Sequence, residues 1–138
     1  MEKEVNKIDM NAKLAGKNAA QKEAIESPMT TDILISAGAG SGKTKTLSTR
    51  VAVLIEQGLI EPSELLILTF TDNAAHEMKE RIIQEIHQDE ENDHKDYKGD
   101  QMYSAHIQTF DSFASYLVKR YASKLGIEIG RASCRERV

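Results

Sequence analysis

Eight consecutive residues, Ala37-Gly38-Ala39-Gly40-Ser41-Gly42-Lys43-Thr44, carry the most specific chemistry in the chain. Small side chains let successive backbone N–H groups turn inward and surround an anion. Ala39, Gly40, Ser41 and Gly42 meet that requirement. Lys43 would reach the far end of a polyphosphate, and the Thr44 hydroxyl would serve as a ligand to Mg²⁺. Lys45 completes the set of candidate contacts. A helix starting at Lys43 would aim its positive end at the same anion. The general pattern opens on glycine, where this chain has Ala37. A glycine-rich turn between a strand and a helix would explain the glycines, but not Lys-Thr directly after the last of them. A dinucleotide site is the weaker rival: Gly38 and Gly40 give only part of its fingerprint, and Gly42-Lys43-Thr44 favours a triphosphate. Kinases, GTPases, transporters and helicases share such a loop, so it does not by itself select among them.

The elements that must position the loop follow from apolar spacing. Met1 to Gly16 is polar and reads as a frayed lead-in. A short helix is expected over Ala19 to Glu26, with Asn18 as its cap and Pro28 after its end. Ile33-Leu34-Ile35 reads as a buried strand leading into the loop. The next helix runs from about Lys43 to Gln57, with Leu47, Val51, Leu54 and Ile55 on one face and Gly58 ending it. Leu65 to Phe70 reads as a second buried strand. Asp72 can cap a helix whose Ala75, Met78, Ile82 and Ile86 form an apolar stripe. Ala105 to Thr109 is a third strand. Asp111 or Ser112 caps a last helix, with Phe113, Leu117, Val118 and Leu125 inside and Gly126 closing it. Strands alternating with helices imply an α/β fold, a parallel sheet covered by helices.

Composition bounds the rest. With 138 residues, 40% hydrophobic and 29% charged, the chain is sized for one soluble globular domain. No uncharged apolar run approaches the roughly 20 residues that cross a bilayer. The charged N-terminus lacks the apolar core of a signal peptide, so the cytoplasm is the expected compartment. Cys134 is the only cysteine, which excludes a disulfide framework and a thiolate metal cluster. His76, His87, His94 and His106 show no metal-ligand spacing. The net charge of -4 argues mildly against nucleic acid. The segment Gln88 to Asp100 distorts that average, however. It takes six of the 22 acids and two of the 18 bases, leaving 16 of each elsewhere. A local basic groove is compatible with that balance, but a strongly basic surface is not.

Four stretches match one family together. Asn18 to Ile25 (NAAQKEAI) resembles the Q motif of UvrD/Rep-type superfamily 1 helicases. Ile33 to Thr44 (ILISAGAGSGKT) resembles their first motif, in which alanine at the opening position is usual. Leu66 to Ile82 (LILTFTDNAAHEMKERI) looks like the next, and Ala105 to Phe113 (AHIQTFDSF) resembles the later Thr-Phe-His-Ser-Phe motif. The wording is slightly closer to the AddA/RecB-like branch. The resemblance spans roughly Asn18 to Gly126 and implies a P-loop NTPase with a RecA-like parallel sheet, here incomplete. It implies ATP and Mg²⁺ as cofactors, with ATP held by Gln21 and by Ala37 to Lys45. It also implies single-stranded DNA as partner, held by Thr69, Phe70, Thr71, Asn73, Thr109, Phe110 and Ser112. Gln21 would select adenine, yet Asn18 with Gln21 three residues on also reads as a capping box. Phe70 reads equally as a base-stacking ring or as a core residue ending a strand. Asp111 stands where the family often has histidine. A carboxylate repels phosphate, so helix capping is the better reading there.

A motor of this family also needs an acidic pair at a strand end and arginines from a second lobe. Neither is found; Asp89-Glu90-Glu91 sits in a polar run. Residues 18–127 therefore read as the front part of the ATP-binding domain, unable to unwind DNA alone. Whether a nuclease domain or partner subunit accompanies the rest stays open. The ending from Glu128 to Val138, with three arginines and the lone cysteine, resembles translated sequencing adapter and reads as a non-native tail. A basic nucleic-acid tail is the alternative. Competing classes are a small P-loop kinase, for which no lid or acceptor site is found, and a non-catalytic nucleotide-binding module.

Overall fold

The computed structural model describes residues 8–87 and 101–128. The acidic stretch Gln88 to Asp100, and the ending from Ile129 with Cys134, lie outside the described residues. The order of elements is α1 (Met10–Leu14), α2 (Ala19–Glu26), α3 (Lys43–Glu56), β1 (Leu66–Thr69), α4 (Asp72–His87), β2 (His106–Thr109) and α5 (Phe110–Tyr121). Short 3₁₀ turns lie at Pro62–Glu64, Met102–Ser104 and Ala122–Leu125.

β1 and β2 pair in parallel, in the register Leu66 with His106 through Thr69 with Thr109. The connection between them is α4, as a parallel crossover requires. Because side chains alternate across a strand, Ile67 and its register partner Ile107 share the face toward the core. There Ile67 packs with Val51, Ala52 and Ile55 of α3 and with Met78, Ile82 and Ile86 of α4. The stripe expected on α4, Ala75, Met78, Ile82 and Ile86, is buried; of the face expected on α3, Val51 and Ile55 are buried while Leu47 and Leu54 are half-buried, and Ala52 and Val53 are buried in addition. Thr46, Ser48 and Thr49 of α3 are buried as well, because each hydroxyl bonds back to a backbone carbonyl one turn earlier.

Three expectations need correction. Ile33 to Ile35 is not a buried strand. Residues 32–38 belong to no regular element, and Leu34 is 93% exposed. An extended segment becomes a strand only where a neighbour completes its hydrogen-bond ladder, and the described sheet contains β1 and β2 alone. Nor does α5 bury an apolar face: none of its residues is buried, and Leu117, Val118 and, beyond the helix, Leu125 are exposed. It covers the second face of the sheet thinly, with Tyr116 and Phe113 against the His106 ring. The caps of α4 and α5 are threonines rather than the acids expected there. Thr71 Oγ1 accepts the Ala74 N–H at 3.1 Å, and Thr109 Oγ1 accepts the Ser112 N–H at 3.2 Å. Asp72 and Asp111 fall inside the first turns, where a negative charge suits the helix dipole.

From residue 9 onward the lead-in is ordered too. The Asp9 carboxylate caps α1 by accepting the N–H groups of Asn11 and Ala12. Lys13 is 4% exposed and donates to Glu56 Oε1 at 3.2 Å and to the Glu85 carbonyl. This one ammonium fastens α1 to the ends of both α3 and α4. Removing one member of a buried ion pair costs about 3–5 kcal/mol. Lys13→Met is therefore expected to destabilise the fold by about that amount in urea titration. Lys22→Met, on the exposed face of α2, should change stability by less than about 0.5 kcal/mol.

Candidate functional site

The bend that leads into α3 is set by backbone conformation. Gly40 and Gly42 lie at φ +77° and +84°, a region that favours glycine. Between them, the Ser41 N–H closes a turn onto the Gly38 carbonyl at 3.3 Å. Gly42 is the N-cap of α3 and brings no side chain to cap it. A helix start left this way presents its first N–H groups to a ligand instead of to its own chain. Lys43, the first helical residue, folds across the bend, and its ammonium bonds to the Ala37 carbonyl. The positive charge is thus held at the mouth of the loop.

Helix α2 forms the facing wall. Its start is a complete capping box: Asn18 accepts the Gln21 N–H at 2.9 Å, and Gln21 Oε1 accepts the Asn18 N–H at 3.0 Å. Its far end is held by Arg50 of α3, which donates to the carbonyls of Ala24, Ile25 and Ser27 at 2.7 to 3.2 Å. A guanidinium there satisfies acceptors that the helix end leaves open and opposes the dipole's negative pole. Between α2 and the bend lies a cleft of about 470 Å³, lined among others by Gln21, Ile33, Ile35, Ala37, Ser41 and Lys43. That is within the size range of small-ligand sites.

The structure gathers Gln21, Ala37, Ser41 and Lys43 at this cleft. Gly38 to Gly42 form its bend, and Thr44 stands exposed on the first turn of α3. The Thr44 hydroxyl offers one oxygen, which suits a Mg²⁺ that keeps most of its ligands as water and phosphate. No group of three or more His, Cys, Asp or Glu that could hold a metal occurs among the described residues. Lys45 is not brought to the cleft. Its side chain faces a groove between α3 and α4 beside Ser48, Glu77, Arg81 and Glu85. Lys17 lies in the same field: burial pulls its ammonium below the usual lysine range, Glu85 opposes that, and Lys45 and Lys13 add to it.

A second cluster stands where the two parallel strands end. Thr69 and Thr109 are the last register pair, and Phe70 and Phe110 follow them directly. Phe70 is 92% exposed and Phe110 50% exposed. Their ring centroids are 5.5 Å apart at an interplanar angle of 36°. The core reading of Phe70 is thereby excluded. The neighbouring hydroxyls are occupied internally. Thr69 Oγ1 donates to the Thr71 carbonyl, Thr71 and Thr109 cap α4 and α5, and Thr109 also donates to Ser112 Oγ at 3.0 Å. Asn73 and Ser112 are exposed, three residues after Phe70 and two after Phe110. Crevices at the carboxyl ends of parallel strands are where open α/β sheets bind ligands. Phe113, the third phenylalanine, packs instead against His106 and Tyr116.

A glycine bend at an uncapped helix start, beside a parallel α/β core, is the arrangement of a P-loop α/β domain. The family model described as UvrD/REP helicase N-terminal domain matches residues 17–136, and the chain belongs to that family. The match runs through most of the segment after Glu128. Among similar proteins is an ATP-dependent DNA helicase PcrA of Staphylococcus aureus, 39% identical over 121 residues. That stretch covers 86% of this chain and 14% of the relative. The PcrA of Staphylococcus epidermidis is 36% identical over the same share of each. The chain thus spans 14% of the length of these curated relatives.

Two glycines separate conformational need from mere smallness. A Cβ at Gly38 meets nothing within 4 Å, and its φ is not in the positive region. At Gly42 a Cβ would sit 2.9 Å from Gln21 Nε2, on a backbone at φ +84°. Gly42→Ala should therefore lower stability by about 1–2 kcal/mol, the cost of a left-handed non-glycine residue. Gly38→Ala should stay within about 0.5 kcal/mol of the parent. Thermal denaturation of the two variants side by side checks this.

Proposed function

We propose that this chain is the front portion of the ATP-binding domain of an ATP-dependent DNA helicase or translocase. One observation carries the reading: the Gly40–Gly42 bend opens an uncapped helix start with Lys43 held across it. In this reading the polyphosphate of ATP displaces the Ala37 carbonyl from the Lys43 ammonium and meets the N–H groups at the start of α3. Lys43 then neutralises charge on the outer phosphates, and Thr44 supplies one oxygen to Mg²⁺. Gln21 stands on the wall where the adenine would lie. Thr44 would hold Mg²⁺, which when bound would supply positive charge to offset that of the phosphates.

Single-stranded DNA is assigned to the strand-end cluster. Two exposed rings at the carboxyl ends of paired strands give a surface on which any base can stack without its sequence being read. Asn73 and Ser112 flank them as polar contacts for the backbone. The acidic residues that orient the attacking water, and the arginines that stabilise charge on the transferred phosphoryl group, belong to parts of the protein beyond this segment. The segment alone is assigned nucleotide binding, and unwinding is assigned to the whole protein, with movement in the 3′-to-5′ direction and a place in DNA repair or recombination.

The reading is tested on the full-length gene product. Single-stranded DNA should stimulate its ATP hydrolysis, and Lys43→Ala should abolish turnover; equal turnover in the variant would overturn the assignment. Phe70→Ala should weaken oligothymidylate binding by about 5- to 150-fold, the worth of one stacked base. Because the Phe70 ring is 92% exposed, the fold should survive the change. Fluorescence anisotropy of a labelled oligonucleotide reads the effect. Unchanged affinity would remove the ring pair from the DNA path.

A further inference from the structure

Gln21 uses both ends of its amide. Oε1 accepts the Asn18 N–H at 3.0 Å, and Nε2 donates to the Ser41 carbonyl at 3.2 Å. The second bond crosses from α2 to the bend, and it grips a particular group. Ser41 C=O belongs to the same planar trans peptide as the Gly42 N–H, and the two point in opposite directions. Holding the carbonyl toward Gln21 turns the Gly42 N–H away from α2. Gly42 lies at φ +84°, and glycine's torsional freedom otherwise lets this plane swing. Gln21 Nε2 also occupies the space a Gly42 Cβ would need, at 2.9 Å.

The grip is well anchored. The capping box fixes the Gln21 side chain on the first turn of α2, and Arg50 ties the last turn of α2 to α3. We infer that Gln21 is a positioning residue for the anion loop: its amide sets the Ser41–Gly42 peptide plane, so it governs phosphate binding whether or not a base is present. The inference rests on the nucleotide-binding reading above and deepens it. Recognition of adenine by Gln21 would act only on ligands that carry the base, whereas a set peptide plane acts on a bare polyphosphate as well.

Two measurements test it. The first needs no ligand. Gln21→Glu keeps an acceptor for the Asn18 N–H, and so keeps the capping box, but has no N–H for the Ser41 carbonyl. In ¹⁵N relaxation, the Gly42 amide should fall from the rigid range near an order parameter of about 0.85 toward about 0.6 or below. Amides of α2 should be unchanged. A Gly42 amide equally rigid in the variant overturns the inference. The second measurement uses inorganic tripolyphosphate, which has no base. Gln21→Met should weaken its binding by about two- to twelvefold, the range of one net hydrogen bond. Asn18→Ala removes the other half of the capping box and leaves the Gln21 donor, so it should change binding by less than twofold. Loss of ATP binding with tripolyphosphate binding intact overturns the inference in favour of adenine reading. An equal loss in Asn18→Ala overturns it in favour of helix fraying. Lys43→Ala should abolish tripolyphosphate binding. A parent chain that takes up none contradicts the nucleotide reading itself, and the order parameter of Gly42 then still decides the role of Gln21.

Discussion

The left-handed turn at Gly42 is the constraint on which the site depends. A chain entering α3 through an ordinary residue at that position would carry a Cβ against Gln21 and a strained backbone. It would also tend to cap the helix with its own side chain, as Asn18, Thr71 and Thr109 do for α2, α4 and α5. Glycine does neither. The start of α3 therefore lies open, and the groups that other helices satisfy internally are left for an anion. The contrast among the described helices is informative: α1, α2, α4 and α5 close their own starts with side chains, and α3, which begins at Lys43, does not.

Parallel pairing organises the second cluster by the same economy of means. Phe70 and Phe110 are 40 positions apart in sequence, yet each follows the last residue of a strand. Registering Thr69 with Thr109 brings the two rings side by side without any contact dedicated to that purpose. The threonines around them then start α4 and α5 and carry the backbone away, which leaves the rings in solvent. Hydroxyls that the motif resemblance assigned to DNA are in this structure part of the corner that presents the phenylalanines.

How much of this was legible in the sequence depended on the range of the interaction. The capping box at Asn18 and Gln21, the glycine bend, and the stripes of α3 and α4 are all set by residues within one or two turns of each other, and spacing reveals them. Lys13 could not be read this way, because its partner Glu56 lies 43 positions on and a lysine in a polar run looks solvated. Arg50 was silent for the same reason: its acceptors are backbone carbonyls, which no residue type announces. Ile33 to Ile35 failed in the opposite direction. Its composition is that of a buried strand, but burial and pairing are properties of neighbours. The apolar residues of α5 failed likewise, since an apolar stripe does not supply the surface that would cover it. Gln21 was posed as a choice between capping and ligand contact. The structure shows that an amide with two chemically different ends can cap with one and grip the loop with the other.

The two clusters are joined through the packing of α3 on α4, and that bears on how a motor would use them. α3 begins at the anion bend, and α4 begins at the Phe70 corner. Val51, Ala52 and Ile55 of the first interlock with Met78, Ile82 and Ile86 of the second in a close-packed core. Close-packed interiors resist continuous deformation, so coupling between distant sites requires an element with two discrete arrangements. The apolar contacts of α3 and α4 are side chains seated against one another, and the buried Lys13 ammonium ties the ends of the two helices together as well. In the motor proposed above, this packed pair would act as the fixed part. It would hold the Gly40–Gly42 bend and the Phe70–Phe110 rings at a fixed separation, because a close-packed core does not deform continuously.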